Sequence, residues 1–390
     1  MLTFKAFTGI NNAQPTHRLG TSELTAALNV DVGLSGEVSR RAGYSQLYGT
    51  CHKNLWQANG FKLATIAGND LYAISPSWAY TLVSASLGTS RVWYCNLPDG
   101  RTTFSNGAIN GITSGGASVG WGVPIPTSLG AIADVSGSLF AGDYQYQLTY
   151  RRTADGLESG PLYSNPNTIT AGGIALTGLP TLTGHTINVY ITGHNGGTAY
   201  YAGNTATSTF SYTGTNATLV KPCRTEMLSP APVGTVTAFW RGRVLVAQGS
   251  VLRASMAGRW QHFNMRRDFK QFSAPITLIQ PVDGGIFVGT TKELCFLAGT
   301  EFDKLTYVQV INGSTVLGSG VTVRGELLKQ GEGAGLGSAM VCIADSVVVA
   351  GFSDGQIVRL TEGRYSTAVT EVAATFRMNG RIPQYIAVPQ

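Results

Sequence analysis

Two stretches of the chain carry the spacing of a serine nucleophile elbow, Gly116-Ala-Ser118-Val-Gly120 and Gly351-Phe-Ser353-Asp-Gly355. An elbow holds its serine on a sharp turn between a strand and a helix, and neither stretch is followed by a helical pattern. With 50 glycines in 390 residues, such spacings arise by chance. The histidines, His17, His52, His185, His194 and His262, form neither an HExxH nor an HxH pair, so a metal trio of His52, His185 and His262 would have to be assembled by the fold. Glycoside cleavage needs two carboxylates roughly 5 to 9 Å apart in a cleft. The acidic candidates Asp70, Asp99, Asp155, Asp283, Asp345 and Asp354 all stand in turn sequences, where a short carboxylate bonds its own backbone. EF-hand and P-loop patterns are absent. No catalytic residue, cofactor or metal ligand is expected, and the chain is not read as an enzyme.

The densest basic region is Arg241, Arg243, Arg253, Arg259, Arg266 and Arg267, with Trp240 and Trp260 interleaved. Stacking on nucleic-acid bases is one use of such a pattern. The other is contact with neighbouring subunits, which suits the forked guanidinium better than a hydrated lysine. Net charge is +6, and arginines outnumber lysines among the 27 basic residues. The basic pairs Arg40-Arg41, Arg151-Arg152 and Arg266-Arg267 never extend into a longer run, unlike a sequence-reading DNA binder. The pattern suits a wall that DNA slides past, touched at phosphates alone.

The elements that must carry these residues are β-strands. Charged residues make up 12% of the chain, about half the usual share, and glycine is in excess. There is no run of ~18 apolar residues, so no membrane span is expected. The opening MLTFKAFTGINNA lacks the apolar stretch of a signal peptide. Cys51, Cys95, Cys223, Cys295 and Cys342 lie far apart, with an odd count, and read as reduced thiols in strands. The one apolar pattern of helical period, Glu23–Leu28, allows a turn or two.

Short strands are expected on either side of the turn at Gly33–Gly36. Beyond it, hairpins with apolar arms recur at Phe61–Ile74, Arg101–Ile112, Arg243–Ala254, Gly285–Leu297 and Ser346–Leu360. Their turns are spaced 39 residues from Gly68 to Gly107 and 40 from Gly249 to Gly289. Repeats of ~40 to 50 residues, each a small antiparallel sheet, read as β-propeller blades, with a β-sandwich array as the alternative. Gly289 to Gly351 is longer, with an extra loop assigned to Arg324–Gly337. The interval between Gly107 and Gly249 differs in character and is bounded by prolines at 124, 126, 222, 230 and 232. Within it, strand patterns at Gly142–Tyr150, Thr168–Thr170, Ile187–Thr192, Tyr200–Ala202 and Thr209–Tyr212 predict an immunoglobulin-like sandwich. Tyr144, Tyr146, Tyr150 and Tyr190 read as cross-strand packing partners, with carbohydrate stacking as the alternative. The expected fold is therefore all-β: a six-bladed β-propeller in two parts, 1–125 and 225–390, with a sandwich inserted at 126–224.

Three stretches resemble the tail nozzle proteins (tail tubular protein B and its relatives) of short-tailed bacteriophages. They are the opening Phe7-Thr-Gly-Ile-Asn-Asn12, with Leu28-Asn-Val-Asp-Val32 and Gly36-Glu-Val-Ser-Arg-Arg-Ala-Gly-Tyr44; the middle Gly142-Asp-Tyr-Gln-Tyr-Gln-Leu-Thr-Tyr150 with Asp155-Gly-Leu-Glu-Ser159; and the end Met378–Val388. The resemblance implies a propeller with a fibronectin-III-like insertion that assembles as a six-fold ring below the portal and its adaptor. Such a ring extends the DNA channel, retains the packaged genome and releases it on infection. It implies a virion structural protein of the tail, made in the host cytoplasm. Its partners would be its own copies, the head-to-tail adaptor, tail fibres or a needle, and double-stranded DNA passing without sequence recognition. The alternatives are a receptor-binding or adhesive tail module and a propeller-type glycan hydrolase or lyase.

Overall fold

The computed structural model describes residues 6–33, 35–43, 45–46, 48–66, 69–328, 337–380 and 382–390. Among them the only helical elements are four 3-10 turns, such as Thr16–Arg18 and Phe302–Lys304. No helix is long and apolar enough to cross a membrane.

Five antiparallel sheets follow one another in chain order. The first runs through Lys53–Gln57, Lys62–Ile66, Asp70–Ile74 and Tyr80–Ser84. The second has Trp93–Asn96, Thr102–Ser105 and Asn110–Thr113. The third has Thr235–Trp240, Arg243–Gln248, Val251–Met256 and Arg259–Phe263, with Phe269–Gln271 also paired to its third strand. The fourth has Ile276–Val282, Gly285–Thr290, Leu294–Ala298 and Thr306–Ile311, and the fifth Val321–Arg324, Ser338–Ala344, Val347–Gly351 and Ile357–Arg359. The first strands of the second to fifth sheets lie side by side in sequence order, the fifth beside Val372–Asn379.

Sheet faces pack on the next sheet through apolar layers: Leu63 and Leu71 against Tyr94 and Phe104, Cys95 and Leu97 against Val244 and Val246, Leu245 and Leu252 against Ile286 and Val288, and Phe287 and Phe296 against Met340 and Val349. Successive small antiparallel sheets stacked face to face about their first strands are the blades of a β-propeller. In sixth place in the chain stands a two-stranded hairpin, Val372–Asn379 with Ile382–Pro389, whose Phe376 and Tyr385 pack on the fifth blade. Five sheets and this hairpin stand where six blades were expected.

Each hairpin read from the sequence coincides with two paired strands. Glu23–Leu28 corrects its expectation: Glu23–Leu24 is a short strand parallel to Gly9–Ile10, because Asn11 and Gly20 both bond the Glu23 carboxylate and fix an extended backbone. Of the extra loop Arg324–Gly337, residues 329–336 lie outside the described residues, as does Gly68 of the first hairpin turn.

Besides a two-stranded pair, Gly142–Tyr144 with Asn167–Ile169, the chain between the second and third blades builds two larger sheets on a core of their own. One is Ala131–Ser136, Gly172–Thr177 and Thr209–Tyr212, and the other is Leu162–Tyr163, Tyr146–Arg152, His185–Thr192 and Ala199–Thr205. Leu148, Ile174, Leu176, Ile187 and Val189 are fully buried between them, joined by Tyr144, Tyr146 and Tyr150. Tyr190 is a cross-strand packing partner too, set edge-to-face against Tyr201 opposite it. It lies on the opposite face of its strand, with Ala199 and Cys223.

Candidate functional site

The fold splits the six arginines into two groups. Arg243, inside a strand, donates to the Ser255 carbonyl at 2.7 Å and stands 3.7 Å from the buried Asp268. Arg253 donates to the Met265 carbonyl at 2.8 Å and lies over the Phe269 ring. Arg241, in the hairpin turn with φ of 44°, donates to the Asp283 carbonyl at 2.7 Å and so ties the third blade to the fourth. These three are framework residues. Arg259, at the start of the outermost strand, and Arg266 and Arg267, in the turn after it, are exposed. Arg259 and Arg266 form no ion pair among the described residues, and Arg267 is 3.9 Å from Asp268 with its side chain 70% exposed. Base stacking finds no support in the tryptophans. Trp240 is buried edge-on against Phe302, and Trp260 donates to the Gly242 carbonyl at 2.8 Å and packs on Phe239.

A cleft of about 440 Å³ opens beside this exposed group, where the two-sheet unit meets the third blade. Arg101, Arg224, Arg259, Glu158 and His262 line it, and sequence reasoning singled out only Arg259 and His262 of these. Arg101 and Arg224 stand 123 residues apart in the chain, so no local pattern joins them. Arg101 is held by a fork to Asp99 at 2.7 and 2.8 Å. His262 donates from Nε2 to the Glu158 carbonyl at 2.7 Å, which anchors the inserted unit to the blade. Burial drives the His262 pKa below its ordinary value, partly countered by that hydrogen bond. The cleft offers a basic rim over a floor already engaged in hydrogen bonds. That arrangement can hold an anionic partner or a neighbouring subunit.

The other chemical candidates serve the framework. The Ser118 N–H donates to the Val83 carbonyl, and Ser353 Oγ donates to the Ser338 carbonyl at 2.6 Å. The ring nitrogens of His52, His185 and His262 bond Tyr80, Thr183 and Glu158, in three separate units. Among the described residues no group of three His, Cys, Asp or Glu is placed to hold a metal. Asp70, Asp99, Asp155, Asp283 and Asp354 each accept a backbone N–H, from Ser86, Arg101, Leu157, Ser338 and Gln356, and Asp345 pairs with Arg359 at 3.0 Å. All five cysteines are free thiols, and four are buried. Burial pushes Cys95, Cys295 and Cys342 up to about 12, which keeps them protonated and inert.

No family model matches the chain, and no curated protein matches it. Among solved structures it is similar to BBS1N in complex with ARL6DN, at 9% identity over 87% of this chain and 90% of that one, with a TM-score of 0.34. It is similar to the Dos1 propeller at 7% identity, over 89% of this chain and 76% of that one, with a TM-score of 0.34. It is also similar to virginiamycin B lyase from Staphylococcus aureus at 10% identity, over 83% and 88%, with a TM-score of 0.28. The propeller assignment rests on the order and packing of the blades.

Proposed function

We propose that the chain is a tail nozzle subunit of a short-tailed bacteriophage, a virion structural protein that works by assembly. The observation that carries this reading is the use made of the opening motif. Asn12 donates its N–H to the Arg364 carbonyl at 2.9 Å, and its side chain exchanges two hydrogen bonds of 2.8 Å with Ser366. Asp31 and Arg41 of the following motif pair at 2.9 Å. Through Asn12 the opening stretch that resembles the nozzle family is tied to a segment more than 350 positions along the chain, as a rigid wall under load requires.

Several surfaces suit a six-fold ring. Leu55 on the first strand of the first blade is 62% exposed, an apolar side chain fit for a neighbouring copy. Ring symmetry repeats each such contact, so modest interfaces become stable together. The exposed Arg259, Arg266 and Arg267 fit the adaptor, the next subunit or the phosphates of passing DNA. We read the inserted unit as the fibronectin-III-like domain of the nozzle family, with boundaries at 126 and 224, and its outer surface as a place for fibres or a needle.

The test is location. Antibody raised against the folded chain, carrying gold, is applied to intact particles from its source and viewed by electron microscopy. Label confined to the tail is the expected result. Unlabelled particles, with an antibody shown to bind native protein, would overturn the reading.

A further inference from the structure

The outward face of the inserted four-stranded sheet is polar and yet buried. Residues alternate along Tyr146–Arg152 and His185–Thr192, so Leu148, Val189 and Ile191 enter the core while Gln147, Thr149, Asn188 and Tyr190 face away from it. Those four are 3%, 0%, 4% and 5% exposed. Gln147 stands opposite Tyr190, and Thr149 opposite Asn188. Glu158 reaches over this face, and its Oε1 accepts hydrogen bonds from Thr149 Oγ1, Asn188 Nδ2 at 2.8 Å and Tyr190 OH at 2.6 Å.

That network leaves a defined gap. Glu158 can only accept here, so the Asn188 amide must turn its Nδ2 toward it, which fixes where Oδ1 points. Asn188 Oδ1 is buried without a partner, and so is Gln147 Oε1 two register pairs along the sheet. A buried acceptor left unpaired is costly, which favours a ligand that brings it a donor. Asn188 also lines a cleft of about 580 Å³, together with Glu158, Tyr201, Arg151, Lys221 and Arg224. The last three are exposed, cationic and without an ion pair among the described residues. The Tyr201 ring meets Tyr190 edge-to-face at 5.6 Å and is half-buried.

We propose that this cleft binds an acidic saccharide, a sugar unit bearing free hydroxyls and a carboxylate. Its hydroxyls donate to Asn188 Oδ1 and to the Glu158 carboxylate, which together demand donors. Its carboxylate meets Arg151, Lys221 and Arg224 at the rim, and Tyr201 offers a ring to the apolar face of the sugar. Nucleic acid fits less well, because the unpaired Asn188 acceptor calls for the clustered hydroxyl donors of a sugar, which a phosphate backbone does not supply. Binding is non-covalent and turns nothing over. The proposal stands whether or not the chain forms a tail ring.

The test is calorimetric titration of the full chain with tetragalacturonate, with cellotetraose as the neutral control and oligo-dT as competitor. Saturable binding of tetragalacturonate is expected, weakened about tenfold or more by Arg224→Ala and by Lys221→Ala, each removing a charge-assisted contact. Both side chains are exposed, so these variants keep the native melting temperature. Asn188→Ala, checked for folding in the same way, should also weaken binding. The proposal is overturned by absence of saturable binding, by equal binding of cellotetraose, by undiminished binding in the Lys221→Ala, Arg224→Ala double variant, or by displacement of the sugar by oligo-dT.

Discussion

The backbone N–H of Ala231 donates to the Trp121 carbonyl at 3.1 Å. The chain thus leaves the propeller and returns to it at one point, after more than a hundred residues spent building a separate core. Asn110 reinforces the junction by donating to the Ala231 and Pro232 carbonyls, each at 3.1 Å.

Removal of residues about 130–222, with a short Gly-Ser join, should therefore leave a folded propeller, because the chain leaves and re-enters it at the bonded residues Trp121 and Ala231. Circular dichroism and denaturant titration should show a β-rich protein with one cooperative transition. A chain that is globally unfolded would show that the blades depend on the insertion.

Acidification should loosen the junction through His262. Burial lowers its folded pKa below the unfolded value of about 6.5, so the unfolded chain binds the proton more readily. The resulting loss of stability begins as pH falls through about 6.5 and levels off below the folded pKa. Denaturant midpoints at pH 7.5 and 5.5 should differ more for the native chain than for His262→Gln, which keeps a donor toward Glu158 and cannot titrate.

Gly160 is a point of close approach between the inserted unit and its exit segment. A Cβ there would overlap the Leu228 carbonyl oxygen, a backbone atom with little freedom to give way. Gly160→Ala should destabilise the protein by about 1 to 3 kcal/mol, the usual cost of overpacking. Urea unfolding measures it, and an unchanged midpoint would mean that the segment shifts freely.

Arg91 links the entry of the second blade to the terminal hairpin. Its guanidinium donates to the Val372 carbonyl at 2.7 Å, pairs with Glu371 at 3.2 Å and lies over the Trp93 ring at 4.5 Å. Arg91→Ala should cost about 1 to 2 kcal/mol in a urea titration, mostly from the backbone bond and the stack, since the part-exposed ion pair adds little. Arg91→Lys should recover less than half, because an ammonium cannot fork and stack at once.

Neutralising Arg259, Arg266 and Arg267 together should leave folding unchanged and weaken whatever anionic surface they meet. If that surface is duplex DNA, the log–log salt slope should fall by about one for each phosphate that is no longer neutralised. An unaltered slope together with a smaller particle by mass photometry would assign the three arginines to the subunit interface.

The hairpins were legible in the sequence because alternation and turn chemistry are local. Arg243–Gln248 and Val251–Met256 pair across Gly249, where φ is 60°, as the pattern Arg243–Ala254 predicts. The strands Ala131–Ser136 and Gly172–Thr177 were not legible. Gly172 and Gly173 blur the alternation of the second, and the first carries Asp134, whose carboxylate bonds Thr170 and Ala171. The six arginines formed one cluster in the sequence, although strand and turn geometry commits three of them to carbonyls and turns three outward.

By itself the sequence determined that this protein is all-β, where most hairpins turn and that a stretch of different character interrupts their repeat, since each of these follows from periodicity and turn residues within a short window. Only the tertiary structure decided which sheet faces meet, that Tyr190 turns away from the core shared by Tyr146 and Tyr150, and that Glu158 lies over Asn188 with Arg151, Lys221 and Arg224 around it. Those relationships join residues tens of positions apart through packing and burial, and the burial of one polar face against another is a property of the assembled layers rather than of any strand.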